Sequence, residues 1–134
     1  MPYFDGTIDA LIFDPPYMHN SGSAFEKIRT LYQSNNGNHA AVIRTYNEGI
    51  LEASRVLRGG GIILVKCQDE IEDHKQKLSH VEVIDILKLC GFEIVDLFVL
   101  VSKGFPPVRV KEQKHARKNH SYAIVGKLKK GATR

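Results

Sequence analysis

The sequence predicts an α/β fold with a mostly parallel sheet that ends in an antiparallel hairpin, with helices on its faces. Apolar, strand-like runs alternate with helical patterns, which is typical of a parallel sheet. The last two strand-like runs follow one another without a helix, which predicts that they pair antiparallel. The chain has 134 residues, 43% of them apolar and 25% charged, so we expect a single domain over residues 1–134.

Residues 7–13 are predicted to form the first strand, which is apolar on both faces, as expected for a central parallel strand. The polar stretch 18–38 follows, and a connection of this length beside a candidate site is typical of a lid or binding loop. A helix is predicted over residues 39–57 with Asn38 as its N-cap. Its apolar residues recur at helical spacing, namely Ala40, Ile43, Tyr46, Ile50 and Ala53.

The run Gly59-Gly60-Gly61 is predicted to end this helix and to turn the chain into a second strand over residues 62–66. Ser79 and Glu82 have the spacing of a capping box, which predicts a second helix over residues 79–90. Residues 92–101 and 121–128 are predicted to be the final two strands. The predicted order is therefore β-α-β-α-β-loop-β.

The tetrapeptide Asp14-Pro15-Pro16-Tyr17 directly follows the first strand, where open α/β sheets bind their ligands. Each proline fixes its own φ and pushes the residue before it into extended geometry, so this corner is stiff. The Asp14 carboxylate and the Pro15 carbonyl offer two acceptors, and the ring of Tyr17 offers a stacking face. Such a corner suits a planar group that carries an exocyclic NH₂, although Asp and Pro also form ordinary turns.

The tetrapeptide resembles motif IV of the class I S-adenosylmethionine (SAM)-dependent amino-methyltransferases, above all the N6-adenine and N4-cytosine DNA methyltransferases. The resemblance extends to the order of the elements and implies a Rossmann-like methyltransferase half-fold, corresponding to strands 4 to 7 and lying in the carboxyl-terminal half of that fold. It implies catalytic roles for Asp14, Pro15, Pro16 and Tyr17. It also implies SAM as the cofactor, near Asp14, Lys66 and Gln68.

The half of the family fold that binds most of SAM has no counterpart in this sequence. A Gly-rich turn after a strand and before a helix is missing, because Gly59-Gly60-Gly61 follows a helix instead. The first strand would also be left as an apolar sheet edge, which favours aggregation. We therefore expect a homodimer or a partner chain that covers this strand.

Charge is distributed unevenly along the chain, whose net charge is +4. Residues 1–102 carry 9 Lys and Arg against 14 acids, whereas residues 103–134 carry 10 Lys and Arg and only one acid, Glu112. A basic segment on an acidic body suits a polyanion such as DNA, or RNA, although solubilising tails have the same composition. The expected phosphate contacts are Lys111, Lys114, Arg117, Lys118 and His120.

The remaining residues give weaker signals. The six histidines form no recognisable metal-binding pattern, and His74 and His80 are expected to be solvated in a polar connection. Cys67 and Cys90 form no disulfide framework, and Cys67 suits apolar packing better than nucleophilic catalysis. No apolar run is long enough for a membrane span, so we expect a cytoplasmic protein with no membrane partner.

Two classes of function remain open from the sequence. The first is an enzyme that methylates an exocyclic amine in nucleic acid, most of all N6 of adenine in DNA, on a flipped-out base. The second is an inactive nucleic-acid-binding half-domain, or one subunit of a split methyltransferase, which the missing Gly-rich turn favours.

Overall fold

The computed structural model describes residues 1–16, 38–104, 114–116 and 118–131. The predicted order of strands and helices is confirmed, and a small hairpin is added to it. The elements are β1 (Ile8–Phe13), α1 (His39–Val56), β2 (Leu57–Cys67), β3 (Glu70–Glu72), β4 (Lys75–Lys77), α2 (Ser79–Leu89), β5 (Phe92–Val101) and β6 (His120–Leu128). Neither described helix combines the length and the apolar character that crossing a membrane requires.

Four of these strands form one sheet in the order β1-β2-β6-β5. β1 pairs parallel with β2, while β6 pairs antiparallel with both β2 and β5. Strands β1, β2 and β5 therefore run in one direction, and only β6 runs against them. The predicted α/β class and the predicted antiparallel pairing of the last two strands are both confirmed.

The core lies on one face of this sheet. Residues of β2 alternate between fully buried positions, such as Ile63 and Val65, and partly exposed positions, such as Ile62 and Leu64. Residues from α1 and α2 pack on the buried set, so both described helices cover the same face. The core residues from the helices include Val42, Tyr46, Ile50, Ala53, Val83, Ile86 and Leu87. We call this the helical face, and the opposite side the open face.

The glycine run departs from its predicted role, because Gly59, Gly60 and Gly61 lie within β2 rather than ahead of it. The pairing with β1 jumps from Ile8–Leu57 to Ala10–Ile62, so the extra β2 residues bulge out of the ladder. Gly60 has a φ of 87°, which a residue with a side chain rarely adopts. The glycines therefore absorb a bulge within the strand.

The predicted N-terminal cap is found at α1 but not at α2. Asn38 caps α1 as predicted, since its Oδ1 accepts a hydrogen bond from the Ala41 amide at 3.3 Å. The predicted capping box of α2 is wrong: Leu78 occupies the N-cap position, with no side-chain hydrogen bond. The Ser79 hydroxyl is buried without a hydrogen-bond partner in the described part of the chain. Glu82 reaches His39 instead of its own helix end.

Candidate functional site at the carboxyl end of the first strand

The corner after β1 lies at the edge of the sheet where the parallel strands end. Asp14 directly follows Phe13, the last residue of β1, and its side chain is 47% exposed. Pro15 is buried and Pro16 is partly buried, so the prolines anchor the corner while the carboxylate stays accessible. Tyr17 and the predicted binding loop over most of residues 18–38 lie outside the described residues.

Asp14 has a charged neighbour in Lys66, whose Nζ lies 3.5 Å from Asp14 Oδ2. Phe13 pairs with Val65, so the next residues along the two parallel strands are brought side by side. The Lys66 carbonyl accepts a hydrogen bond of 2.8 Å from the buried Tyr46 hydroxyl, which fixes the end of β2 to α1. A long, half-exposed ion pair contributes little stability, so Asp14 can exchange Lys66 for another donor at small cost.

This pair opens toward the side of the sheet that carries neither of the two described helices. Phe13 and Val65 point into the helical face, where Phe13 meets Tyr46 edge to face at 6.0 Å between ring centroids. Lys66 alternates with Val65 and therefore lies on the open face, next to Asp14. The carboxylate, its lysine partner and the open face consequently form one continuous surface.

Gln68, expected beside the cofactor, has a structural contact. Its side-chain amide donates a hydrogen bond of 2.9 Å to the His120 carbonyl, which joins the end of β2 to the start of β6. The structure therefore brings Asp14 and Lys66 together, while Gln68 contacts the neighbouring strand.

Three of the five expected phosphate contacts lie in the described part of the chain. Lys114 is exposed, and Lys118 donates a hydrogen bond of 2.7 Å to Gln76 Oε1 on the small hairpin. His120 is partly buried at the start of β6, with its Nε2 3.3 Å from the Tyr122 hydroxyl. Lys111 and Arg117 lie outside the described residues.

A buried carboxylate lies near the same edge, directly after Gln68 in the sequence. Asp69 is 5% exposed, and its Oδ1 accepts hydrogen bonds from the His80 amide at 3.2 Å and the His80 ring at 2.7 Å. The His80 ring also stacks on Tyr122 at 4.1 Å. The expectation of a solvated His80 is therefore wrong. Burial raises the pKa of the Tyr122 hydroxyl, and the nearby Asp69 carboxylate adds to that effect.

A second polar cluster holds the start of α1. His39 is 6% exposed, with Nδ1 2.6 Å from Glu70 and Nε2 2.7 Å from Glu82. Its backbone amide donates to Glu72 at 2.6 Å. Burial alone would lower the pKa of the His39 ring, but the hydrogen bonds that the ring donates to Glu82 and Glu70 outweigh it, so the pKa is raised. This cluster links α1, α2 and the hairpin through residues far apart in sequence.

Cys67 is fully buried in the core, and burial, with the nearby Asp69 carboxylate second, raises the pKa of its thiol to about 12. A thiol that stays protonated is a poor nucleophile, so its environment fits apolar packing.

A cavity of about 820 Å³ lies at the opposite edge of the sheet, where Gly6, Arg55, Gly91 and Lys129 line it. None of the residues expected at the site contributes to that cavity.

No protein-family model matches the chain, and no curated protein matches it. Solved structures do match its fold. The SAM complex of TTHA0409 from Thermus thermophilus, a protein assigned as a DNA modification methylase, is 13% identical with a TM-score of 0.65; the match covers 99% of this chain and 52% of that one. The cytosine-N4-specific PvuII DNA methyltransferase is 10% identical with a TM-score of 0.67, covering 94% and 44% of the two chains.

The [4+2]-cyclase SpnF matches as well, at 16% identity and a TM-score of 0.51, over 98% of this chain and 53% of that one. The chain therefore has the fold of the SAM-methyltransferase structures and spans about half their length. Identities this low establish the fold alone. Because a methylase and a cyclase share the architecture, the function has to be argued from the site.

Proposed function

We propose that this chain is the substrate-binding, carboxyl-terminal half of a SAM-dependent methyltransferase that acts on an exocyclic amine in nucleic acid, namely N6 of adenine in DNA. The observation that carries the proposal is the accessible Asp14 carboxylate on a proline-stiffened corner at the carboxyl end of β1. The fold shared with DNA methyltransferase structures supports it. The basic segment 103–134 would contact the phosphates.

The chemistry asked of this chain is positioning. The Asp14 carboxylate and the Pro15 carbonyl would accept the two N–H groups of the amine, which fixes its orientation. Tyr17 would hold the flat base by stacking. Lys66 would give up its weak contact with Asp14 as the amine arrives, so one donor to the carboxylate would replace another.

The residues of this chain fit the amine better than they fit the whole of SAM. Two carboxylates near this edge, the buried Asp69 and the partly buried Glu70, are engaged by His80 and His39. Asp14 and Lys66 form one polar rim, and the sequence has no Gly-rich turn between a strand and a helix. SAM, when bound, would supply the electrophilic methyl group, and Asp14 and Lys66 would contact only part of it.

The direct test is a methyl-transfer assay on the chain, tagged and purified from its native cells so that any bound partner is retained. The assay mixes it with radiolabelled SAM and duplex DNA and separates the nucleosides. We expect labelled N6-methyladenine. Label in N4-methylcytosine would change the base, label only in RNA would change the nucleic acid, and no label in any nucleic acid would refute the proposal.

The Asp14→Asn variant tests the proposed role of the carboxylate, because the substitution keeps the shape but removes the charge. We expect methyl transfer to fall by roughly 100-fold or more with little change in stability. Asp9→Asn is the matched control: Asp9 lies on the same strand, is 74% exposed, and pairs with Arg58 at the far end. If the two variants keep the same activity, the corner has no catalytic role.

A further inference from the structure

The small hairpin of β3 and β4 follows the end of β2, at the same edge of the sheet as Asp14. Asp73 and His74 form its turn, with positive φ values of 48° and 61°. His74 comes eight residues after Lys66, so at most about 29 Å of chain separates the turn from the neighbour of Asp14. The hairpin therefore lies within reach of whatever binds at the corner.

The acidic side chains of the hairpin strands are held against α1. Glu70 and Glu72 are only 10% and 18% exposed, and they accept hydrogen bonds from the ring and the backbone amide of His39. A two-stranded hairpin is marginally stable by itself in water, so these contacts support it. They also turn two negative charges inward, which leaves the outer side of the hairpin to other residues.

The turn of the hairpin contacts part of the basic segment that follows β5. The rings of His74 and His115 stack, with 6.3 Å between their centroids and 23° between their planes. Beside them, Lys118 Nζ donates a hydrogen bond of 2.7 Å to Gln76 Oε1. The Gln76 amide nitrogen donates in turn to two backbone carbonyls of the hairpin, which fixes the acceptor for the lysine.

Three lysines from two distant parts of the chain gather here. Lys75 and Lys114, the sequence neighbours of the stacked histidines, are both exposed, and Lys118 joins them through its hydrogen bond. Asp73 is the one exposed acid among the described residues of the hairpin and of 114–119. We call this group the tip surface, and it comprises His74, Lys75, Gln76, Lys114, His115 and Lys118.

The contacts of the tip surface distinguish it from a solubilising tail. A tail that only keeps a protein in solution needs no fixed partner, whereas His115 and Lys118 are both held on the hairpin. Cationic groups that are already held in place lose less conformational entropy when they bind an anion. The arrangement therefore suits a rigid polyanion.

Resting on the function proposed above, we propose that the tip surface binds the phosphate backbone of the duplex DNA whose base enters the corner at Asp14. The ammonium groups of Lys75, Lys114 and Lys118 contact phosphates, and Lys118 keeps two N–H donors after its bond to Gln76. Such contacts position the duplex without reading its sequence.

The position of the tip fits this partner. Each strand of B-DNA has one phosphate for about every 3.4 Å of helix axis, so a separation of at most about 29 Å corresponds to fewer than about nine nucleotides. The phosphates that the tip surface contacts therefore belong to the same stretch of duplex as the base at Asp14.

Fluorescence anisotropy with a short labelled DNA duplex measures this binding without SAM or turnover. The full chain, tagged and purified from its native cells, is titrated at several salt concentrations. In the Lys75→Gln/Lys114→Gln variant, the slope of log affinity against log salt should become shallower by about 1.8, because each phosphate contact contributes about 0.9. At 0.1 M salt the affinity should fall by at least about 10-fold.

The Lys88→Gln/Lys127→Gln variant is the matched control, because it removes the same charge from two exposed lysines. Lys88 lies in the last turn of α2, and Lys127 pairs with Ile62 and Glu93 at the opposite edge of the sheet. Lys127 also belongs to the basic segment 103–134, so the comparison tests position and not composition. The control should keep the slope of the wild-type protein, and both variants should keep its urea midpoint.

Three results would overturn the tip surface. They are equal slopes for the two variants, no binding of the duplex by the wild-type protein, and tighter binding of RNA than of duplex DNA. The first would show that the lysines act only through the net charge, and the third would change the partner.

This inference and the proposed function fail separately. Wild-type protein that methylates DNA while both variants bind the duplex alike would refute the tip surface and leave the proposed function standing. A loss of salt dependence confined to the tip variant, with no methylation of any nucleic acid, would refute the proposed function and leave the tip surface standing.

Discussion

The aromatic ring of Phe13 lies directly against the backbone of Gly49 in α1, where a Cβ atom would overlap with the ring. Glycine is therefore needed at position 49 because its missing Cβ atom leaves room for the Phe13 ring, and not because the backbone needs extra freedom. The contact fixes the last residue of β1 immediately before Asp14. The position of the candidate site therefore depends on the absence of a side chain in a neighbouring helix.

Replacing Gly49 by alanine should destabilise the fold despite the better helix propensity of alanine. Overpacking costs about 1–3 kcal/mol, and the propensity gain of about 1 kcal/mol offsets part of it. Because the ring overlaps the added methyl group, urea denaturation should show a net loss of up to about 2 kcal/mol. Asn47→Ala, at an exposed position in the same helix, should not destabilise the protein. Equal stabilities of the two variants would show that Phe13 moves aside freely.

Asp69→Asn should loosen the junction between the end of β2, the start of α2 and β6. The charged acceptor for the two His80 hydrogen bonds becomes a neutral amide, and an NH₂ group replaces the oxygen that accepts from the Tyr122 hydroxyl at 3.5 Å. We expect a loss of roughly 1–3 kcal/mol in urea denaturation. NMR should show a changed ring-current shift where His80 stacks on Tyr122.

Asp73→Asn is the control for that substitution, because Asp73 is exposed at the turn of the nearby hairpin and asparagine tolerates its positive φ of 48°. It should leave both the stability and the ring-current shift unchanged. If Asp69→Asn also leaves the stability and the ring-current shift unchanged, the buried carboxylate contributes nothing to the stability of the junction.

The His39 cluster should make stability fall as pH rises. The pKa of the ring is raised in the folded chain, so its contribution is complete below the unfolded value of 6.5 and is lost as pH rises through the folded value. The stability difference between the wild-type protein and His39→Gln should shrink as pH rises above about 6.5. Glu82→Gln, which removes one of the carboxylates, should weaken this trend. Parallel pH profiles for wild type and His39→Gln would contradict the cluster's role.

Cys67 should resist thiol reagents in the folded protein. It is fully buried with a pKa of about 12, so its thiolate fraction at pH 8 is about 10⁻⁴. A colorimetric thiol reagent should label Cys90 alone in the native chain and both cysteines in urea. The Cys90→Ser variant should show no fast labelling. Fast labelling of that variant would mean that Cys67 is accessible.

The main elements were predictable because their patterns are long and periodic. The predicted helices over 39–57 and 79–90 match His39–Val56 and Ser79–Leu89 to within one residue, and β5 has the predicted bounds. Hydrophobic periodicity over three or more turns is a local signal that packing rarely overrides.

The small hairpin and the polar clusters were not predictable in the same way. β3 and β4 are three residues long and polar, and Asp73 and His74 turn the chain with positive φ values, without the usual glycine. The partners of His39 lie 31 and 43 residues away, so no local spacing identifies them. Ser79 and Glu82 had the correct local spacing for a capping box, but the contact of Glu82 with His39 forms instead.

The position of β6 between β2 and β5 has a consequence for biosynthesis. Because β6 joins β5 to the rest of the sheet, β5 stays unpaired until the ribosome has released β6. A nascent chain that stalls before His120 would expose Phe92–Val101 to chaperones and proteases as an unpaired apolar segment. The apolar strand β5 can therefore pair in the sheet only after the segment His120–Leu128 has emerged.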